Sequence, residues 1–170
     1  MRRTLIQRAL PFCFCIVPLL AAVLVAAATP GEAVRFYSEH ISRMDGLILS
    51  LGLTLFAVQI VLCWQALQWR GSRFDERPDP WLTNLALAAE WFPLLGLIGT
   101  VAGILQTFSK ITGPVPQEFI IQNYAPAITA TGSGLFMALV NILPTWVVLI
   151  GRGLILALGG GEAPAPGDVP

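Results

Sequence analysis

Four long apolar stretches, parted by short polar segments, set the pattern of this chain. The first runs from about Ala9 to Ala28, the second from Gly46 to about Trp69, the third from Trp91 to about Ser109, and the fourth from about Ala125 to Ile150. Each is close to the roughly 20 apolar residues that cross a bilayer as a helix. In hydrocarbon a helix satisfies its own amides, so the pattern predicts helices rather than strands. The expected fold class is all-α, an integral membrane helical bundle with four transmembrane helices, the last of them bent at Pro144. The first stretch also has the form of a secretory signal, with a basic start, an apolar run and small residues before Thr29-Pro30. Pro11 and Pro18 weaken it as a long regular helix, but its apolar run exceeds a usual signal core, which favours an uncleaved span. Cleavage would leave three spans in the same orientation.

This pattern divides the chain into an N-terminal span or signal-like segment (1–28), an outer loop (29–45) and a second span (46–69). A short inner loop (70–90), a core of two spans (91–151) and a tail (152–170) follow. The tail is rich in Gly, Pro and Ala from Gly159 onward, a composition that predicts disorder.

Composition agrees with a membrane chain. Of 170 residues 55% are hydrophobic and 12% charged, with mean hydropathy +0.72; a soluble domain carries about a quarter charged residues. Ten basic and ten acidic residues cancel, which leaves no basic patch for nucleic acid. The arginines set orientation. Arg2, Arg3 and Arg8 precede the first span, Arg70, Arg73 and Arg77 follow the second, and Arg152 follows the fourth. All fall on one side of a four-span layout, which makes that side, and the N-terminus, cytoplasmic. The outer loop mixes Arg35 and Arg43 with Glu32, Glu39 and Asp45. Trp64, Trp69, Trp81 and Trp91 suit the aromatic belts of a membrane protein.

Enzyme chemistry has little support. His40 is the one histidine, and Cys13, Cys15 and Cys63 lie inside apolar runs. A lone C-x-C offers too few ligands for zinc, and Gly96, Gly99 and Gly103 do not form a phosphate loop. The expectation is a non-enzyme with no metal site and no cofactor.

The third and fourth spans carry the candidate chemistry. Gly96, Thr100, Gly103 and Thr107 recur at helical spacing along one face, with Gly99 widening the small-residue seam. Thr131, Gly134, Ala138, Asn141 and Thr145 form a similar stripe, with Ser133 off that line and free to bond its own backbone. Small residues let helices approach closely, and buried hydroxyls need partners or water. A threonine hydroxyl donates and accepts but does not change charge at physiological pH. Thr100, Thr131, Thr107, Asn141 and Thr145 can therefore line a proton path, yet no Asp, Glu, His or Lys lies in the middle of any span to titrate. Glu90, with Arg70, Arg73 and Arg77, is placed at the cytoplasmic mouth, as a sealing cluster or as topology signals alone.

Two segments then resemble a known family. Pro93-Leu-Leu-Gly-Leu-Ile-Gly-Thr-Val-Ala-Gly-Ile is similar to the P-x-x-G-L-x-G-T-V-x-G run of TolQ and ExbB proteins, and Ala130-Thr-Gly-Ser-Gly-Leu, followed by Pro144, to their A-T-x-x-G-L run. The resemblance to the MotA/TolQ/ExbB proton-channel family covers roughly Trp91 to Ile150. It implies a bacterial inner-membrane channel subunit that self-associates into a ring, typically a pentamer. The ring surrounds helices of an ExbD/TolR/MotB-like single-span partner whose membrane aspartate takes up and releases protons. It implies further that Thr100 and Thr131 face that path, and that Pro93 and Pro144 match helix-bending prolines. The sequence departs from the family in two ways. The glutamate that many ExbB and TolQ proteins carry before the second threonine is absent from Tyr124-Ala-Pro-Ala-Ile-Thr129, and the usual large cytoplasmic domain is missing. Two other readings stay open: a structural or accessory scaffold in which Gly96, Gly99, Gly103 and Gly134 only pack helices, and a small self-contained pore.

Overall fold

The structure is a computed structural model and describes residues 2–70, 73–74, 76–111, 113 and 116–159. It is a helical bundle. Its elements are α1 (Arg2–Ala28), α2 (Gly31–Glu39), α3 (Arg43–Leu67), β1 (Trp69–Arg70), β2 (Arg73–Phe74), α4 (Asp79–Ala89), α5 (Trp91–Ser109) and α6 (Gln117–Gly159). The two strands are a two-residue antiparallel pairing, Trp69 with Phe74 and Arg70 with Arg73, that turns the chain between α3 and α4. Among the described residues four helical segments are long and apolar enough to cross a membrane: Pro11–Ala28, Arg43–Leu67, Asp79–Ser109 and Glu118–Ile155. The last two correspond to α4 with α5, and to most of α6.

Several elements differ from the sequence expectation. Helix α1 runs unbroken through Pro11 and Pro18, both buried. Each proline removes one amide donor from the helix, and other helices pack around it. The segment expected as an outer loop contains α2, which starts after Pro30 and ends at His40, whose N–H bonds to Phe36 O and Tyr37 O. Helix α3 begins at Arg43, so Asp45 belongs to its first turn rather than to a loop. Ser42 caps it: its hydroxyl accepts from Asp45 N–H, and the Asp45 side chain accepts from Ser42 N–H. The segment expected as an inner loop holds α4, broken from α5 only at Glu90. Pro93 stands in the first turn of α5, where its missing N–H costs little. Helix α6 continues through Pro126 and Pro144 for 43 residues, about 65 Å at 1.5 Å per residue, well beyond a hydrocarbon core of about 30 Å. Of the expected tail (152–170), residues 152–159 instead continue α6, and the residues from 160 onward lie outside the described residues.

Helix α6 is the spine against which the others pack. Helix α3 lies parallel to it: Asp45 meets Thr129 and Ser133, Gly52 meets Met137, and Leu67 meets Gly151. Helices α4 and α5 lie antiparallel to it in one continuous register. Asp79 meets Arg152, Leu82 meets Thr145, Gly96 meets Ala130 and Gly134, Gly103 meets Ala127, and Thr107 meets Asn123. One buried cluster joins Cys15, Cys63, Ala66, Leu67, Leu82, Val147, Val148 and Ile155, and another joins Ile48, Ala89, Phe92 and Met137. Leu94, Leu97, Ile98 and Val101 on α5, and Leu20, Val23 and Leu24 on α1, are exposed, as lipid- or subunit-facing residues of a membrane bundle are.

Candidate functional site

Glycines create the seam between α5 and α6. A Cβ at Gly96 would stand 2.9 Å from Ala130 O and 3.1 Å from Thr131 Cα, and one at Gly103 would stand 2.8 Å from Ala127 Cβ. A Cβ at Gly99 would stand 2.7 Å from Ala130 Cβ, and one at Gly134 would overlap Phe92 O and stand 3.1 Å from Gly96 Cα. The backbones are therefore close enough for side-chain hydroxyls of one helix to reach carbonyls of the other. The Thr100 hydroxyl lies 3.0 Å from Gly96 O in its own helix, 3.1 Å from Ala127 O in α6, and is hydrogen-bonded to the Thr131 hydroxyl. Further along, the buried Thr107 hydroxyl lies 2.8 Å from Gly103 O and 3.2 Å from Asn123 O. Back-bonding to the residue four positions earlier is the usual option for a threonine inside a helix. Here each hydroxyl adds an acceptor on the facing helix.

The other expected residues are used elsewhere. Asn141 turns to α3, donating from Nδ2 to Gly52 O at 3.2 Å and to Met137 O at 2.8 Å. Thr145 turns to α4 and donates to Leu82 O at 3.4 Å. Thr100, Thr131 and Thr107 thus share the α5–α6 seam, and Asn141 and Thr145 do not join them. Pro144 is fully buried in α6. Glu90, exposed at the α4–α5 break, lines a shallow apolar groove with Pro93, Leu135, Ala138, Leu139 and Ile142. Arg77 lines a different groove with Trp64, Gln68 and Trp81. The side chains of Arg70 and Arg73 lie outside the described residues.

Arg152 has more than a topological place. Its guanidinium donates to both oxygens of Asp79, at 2.6 and 2.7 Å, and to Ala66 O, and lies over the Phe74 ring. It ties α3, α4 and α6 at the arginine-rich end of the bundle. In sequence Arg152 is an arginine after an apolar run, a pattern that does not distinguish a solvated charge from a bridging one.

Asp45 is the site residue that sequence reasoning missed. It is fully buried, between α3 and α6. Its Oδ2 accepts from Ser42 N–H (2.7 Å), Ser42 Oγ (2.5 Å) and Thr129 Oγ1 (3.0 Å), and its Oδ1 accepts from Ser133 Oγ (2.5 Å). The Tyr37 hydroxyl of α2 joins Ser133 Oγ at 2.7 Å. Burial raises the Tyr37 phenol above its ordinary value, the bond to Ser133 opposes that shift, and the charge of Asp45 adds to it. Among the described residues no Lys, Arg or His forms an ion pair with Asp45. The signal in the sequence was the Ser42-x-x-Asp45 spacing of a helix start. Ser133, expected to bond its own backbone, does so at Thr129 O (2.9 Å) while also bonding Asp45.

The fold is thus that of a multi-pass membrane helical bundle with a hydroxyl-lined, uncharged helix seam. A family model described as the MotA/TolQ/ExbB proton channel family matches residues 62–152, and the chain belongs to that family. Proteins of two Helicobacter pylori strains, each named as biopolymer transport protein ExbB-like 2, are 29% identical to it over 106 residues, covering 58% of this chain and 71% of theirs. No solved structure matches the chain. The family is one of transport rather than catalysis, and its match extends from the end of α3 to Arg152, across the whole α5–α6 seam.

Proposed function

We propose that the chain is the channel-ring subunit of an energy transducer of the bacterial inner membrane, driven by the proton-motive force. In this reading, copies of the chain form a ring, and a single-span ExbD/TolR/MotB-like partner inserts an acidic helix beside the seam of Thr107, Thr100 and Thr131. The observation that carries it is the pair Thr100–Thr131: two hydroxyls bonded to each other across α5 and α6, in a helix, α5, with no ionisable side chain from Trp91 to Ser109. Such a wall can hold water or bond a carboxylic acid but cannot titrate, so the charge change belongs to the partner. Protonation there would remove a charge from a low-dielectric path and weaken its hold on the hydroxyls, which lets the helices step past each other. The cytoplasmic side is the end that holds Arg152 and Asp79, by the arginine bias of the sequence.

The test replaces Thr100 and Thr131 with valine, singly and together, and measures proton-dependent work with the partner present. Loss of work with the assembly intact is expected. A second reading, helix packing alone, draws on the Gly96, Gly99 and Gly103 contacts with α6. It expects valine at Thr100 to be harmless and leucine at Gly96 or Gly103 to break assembly. Unchanged work in both threonine variants and in the pair would remove the lined-path reading. Ion conduction by the purified chain alone would favour a self-contained pore over a partnered channel.

A further inference from the structure

The Asp45 cluster stands on the face of α6 opposite Thr131. Thr129 and Ser133 are one turn apart on one side of the helix, and Thr131 falls between them in sequence but about 200° away around the axis. The cluster therefore does not belong to the α5–α6 seam. We propose that Asp45 is a proton-holding site of this chain, loaded through Tyr37 and Ser133 from the groove between α1, α2 and α6.

Three features carry this inference. The first is a continuous chain of hydroxyls. Tyr37 OH and Ser133 Oγ are 2.7 Å apart, and Ser133 Oγ donates to Asp45 Oδ1 at 2.5 Å. The second is access. A groove of about 530 Å³, apolar except for its hydroxyls, is lined by Tyr37, Thr129 and Ser133 together with Ala26, Val34 and Phe136. The third is that the cluster accommodates either protonation state. Ser133 has a second acceptor in Thr129 O at 2.9 Å, and Thr129 has one in Pro126 O at 3.1 Å. When the carboxyl gains a proton, these hydroxyls can turn to the carbonyls, so no buried donor loses its partner.

The transfer balances. A hydronium ion delivered from bulk solution to the groove gives its proton to Tyr37 Oη, leaving water, as the Tyr37 proton passes to Ser133 Oγ. The Ser133 proton passes in turn to Asp45 Oδ1, and the only net change is one proton gained and one negative charge removed at Asp45. The surroundings hold few other titratable groups. Helix α2 presents Tyr37 and, just past its end, the half-buried His40, whose Nδ1 bonds Phe36 O; its Glu32 is exposed, and its exposed Arg35 and Glu39 pair with each other. On α3 itself Arg43 is exposed. Helix α5 carries no ionisable residue, α6 carries Glu118, Tyr124 and Arg152 well away in sequence, and the charges of α1 and α4 lie at their arginine-rich or Asp79 ends.

The experiment uses the full chain in lipid bilayers, with aspartate labelled by ¹³C at its carboxyl, and follows the carbonyl stretch of un-ionised carboxylic acid by infrared spectroscopy as pH is lowered and after pH jumps. A titrating band absent from Asp45→Asn is expected. Tyr37→Phe should keep the band and slow its appearance after a pH jump about tenfold, and Ser133→Ala should shift the band and slow it as well. The chain has three other aspartates, Asp75, Asp79 and Asp168, so the reading is the difference from the parent: if Asp45→Asn loses no component of the band at any pH at which the chain stays folded, the proposal is overturned. So does an unchanged rate in Tyr37→Phe. Should Asp45→Asn fail to fold, the Ser133→Ala band shift assigns the carboxyl, and its absence overturns the assignment. The outcome is independent of the Thr100 and Thr131 valine test, because it needs no partner.

Discussion

Two glycines two residues apart on α6 should respond to the same substitution with opposite signs. A Cβ at Gly132 meets nothing within 4 Å, whereas one at Gly134 overlaps Phe92 O and stands 3.1 Å from Gly96 Cα, both backbone atoms that no rotamer change can move. Gly132→Ala keeps every contact and gains helix propensity, worth about 0.5–1 kcal/mol. Gly134→Ala gains the same propensity but must part α5 from α6 by up to about 1 Å, a strain typical of overpacking at about 1–3 kcal/mol. That separation also stretches the Thr100–Thr131 bond, worth about 1 kcal/mol. The net expectation is a loss of about 2 kcal/mol, or about 4–8 °C for a chain of this size. The assay is thermal unfolding of the isolated chain in detergent, read by a thiol-reactive dye in a Cys13→Ser background, because Cys15 and Cys63 are buried and Cys13 is exposed. Equal midpoints for the two variants, or a Gly134→Ala protein as stable as the parent, would refute the close approach of the two backbones.

The same assay checks two further expectations. Gln59 is fully buried on α3, and neither Nε2 nor Oε1 has a hydrogen-bond partner among the described residues; Gln59→Leu should therefore stabilise the isolated chain by about 1–3 kcal/mol, and a destabilised variant would show that the amide has a partner in the folded protein. Arg152→Leu should destabilise by about 1–2 kcal/mol, since it removes a two-pronged ion pair, partly exposed at Asp79, and two bonds to Ala66 O, with Asp79→Asn costing less because it keeps a hydrogen-bond acceptor; equal stability of Arg152→Leu and the parent would make the bridge ornamental.

Much of the bundle was legible in the sequence because membrane helices declare themselves by uninterrupted apolar length. The bounds of α5 coincide with the expected third span, from Trp91 to Ser109, since Pro93 marks its start and Lys110 its end. Helical spacing likewise put Thr100 and Thr131 on small-residue faces, and these faces meet. Asn141 and Thr145 share the spacing of Thr131 but not its neighbours, because a stripe that drifts around a 43-residue helix passes from α5 to α3 and α4. Helix α2 was hidden by its length, nine residues with Glu32, Arg35 and Glu39 among them, too short to show a period. Asp45 was hidden by its type. An acid beside Arg43 and Ser42 reads as loop, and its burial depends on Thr129 and Ser133, more than eighty residues away. Arg152 was hidden in the same way, its role resting on Asp79 and Ala66.

These distant contacts bear on which helix moves in the proposed assembly. Helix α6 is held on several sides: by Asp45 at Thr129 and Ser133, by Gly52 O at Asn141, by Asp79 and Ala66 O at Arg152, and by backbone-close glycines along α5. A one-turn shift of α6, about 5.4 Å, would break all of these together. Such a helix is suited to act as a fixed wall. The bonds it spares on the seam side, the hydroxyls of Thr100 and Thr131, are the ones that can exchange a neighbour for an inserted carboxylic acid without disturbing the rest. If motion accompanies proton transfer, it therefore belongs to the inserted helix rather than to α6. Crosslinks that lock α3 to α6 should then leave proton-driven work intact, whereas a lock between α6 and the partner helix should abolish it.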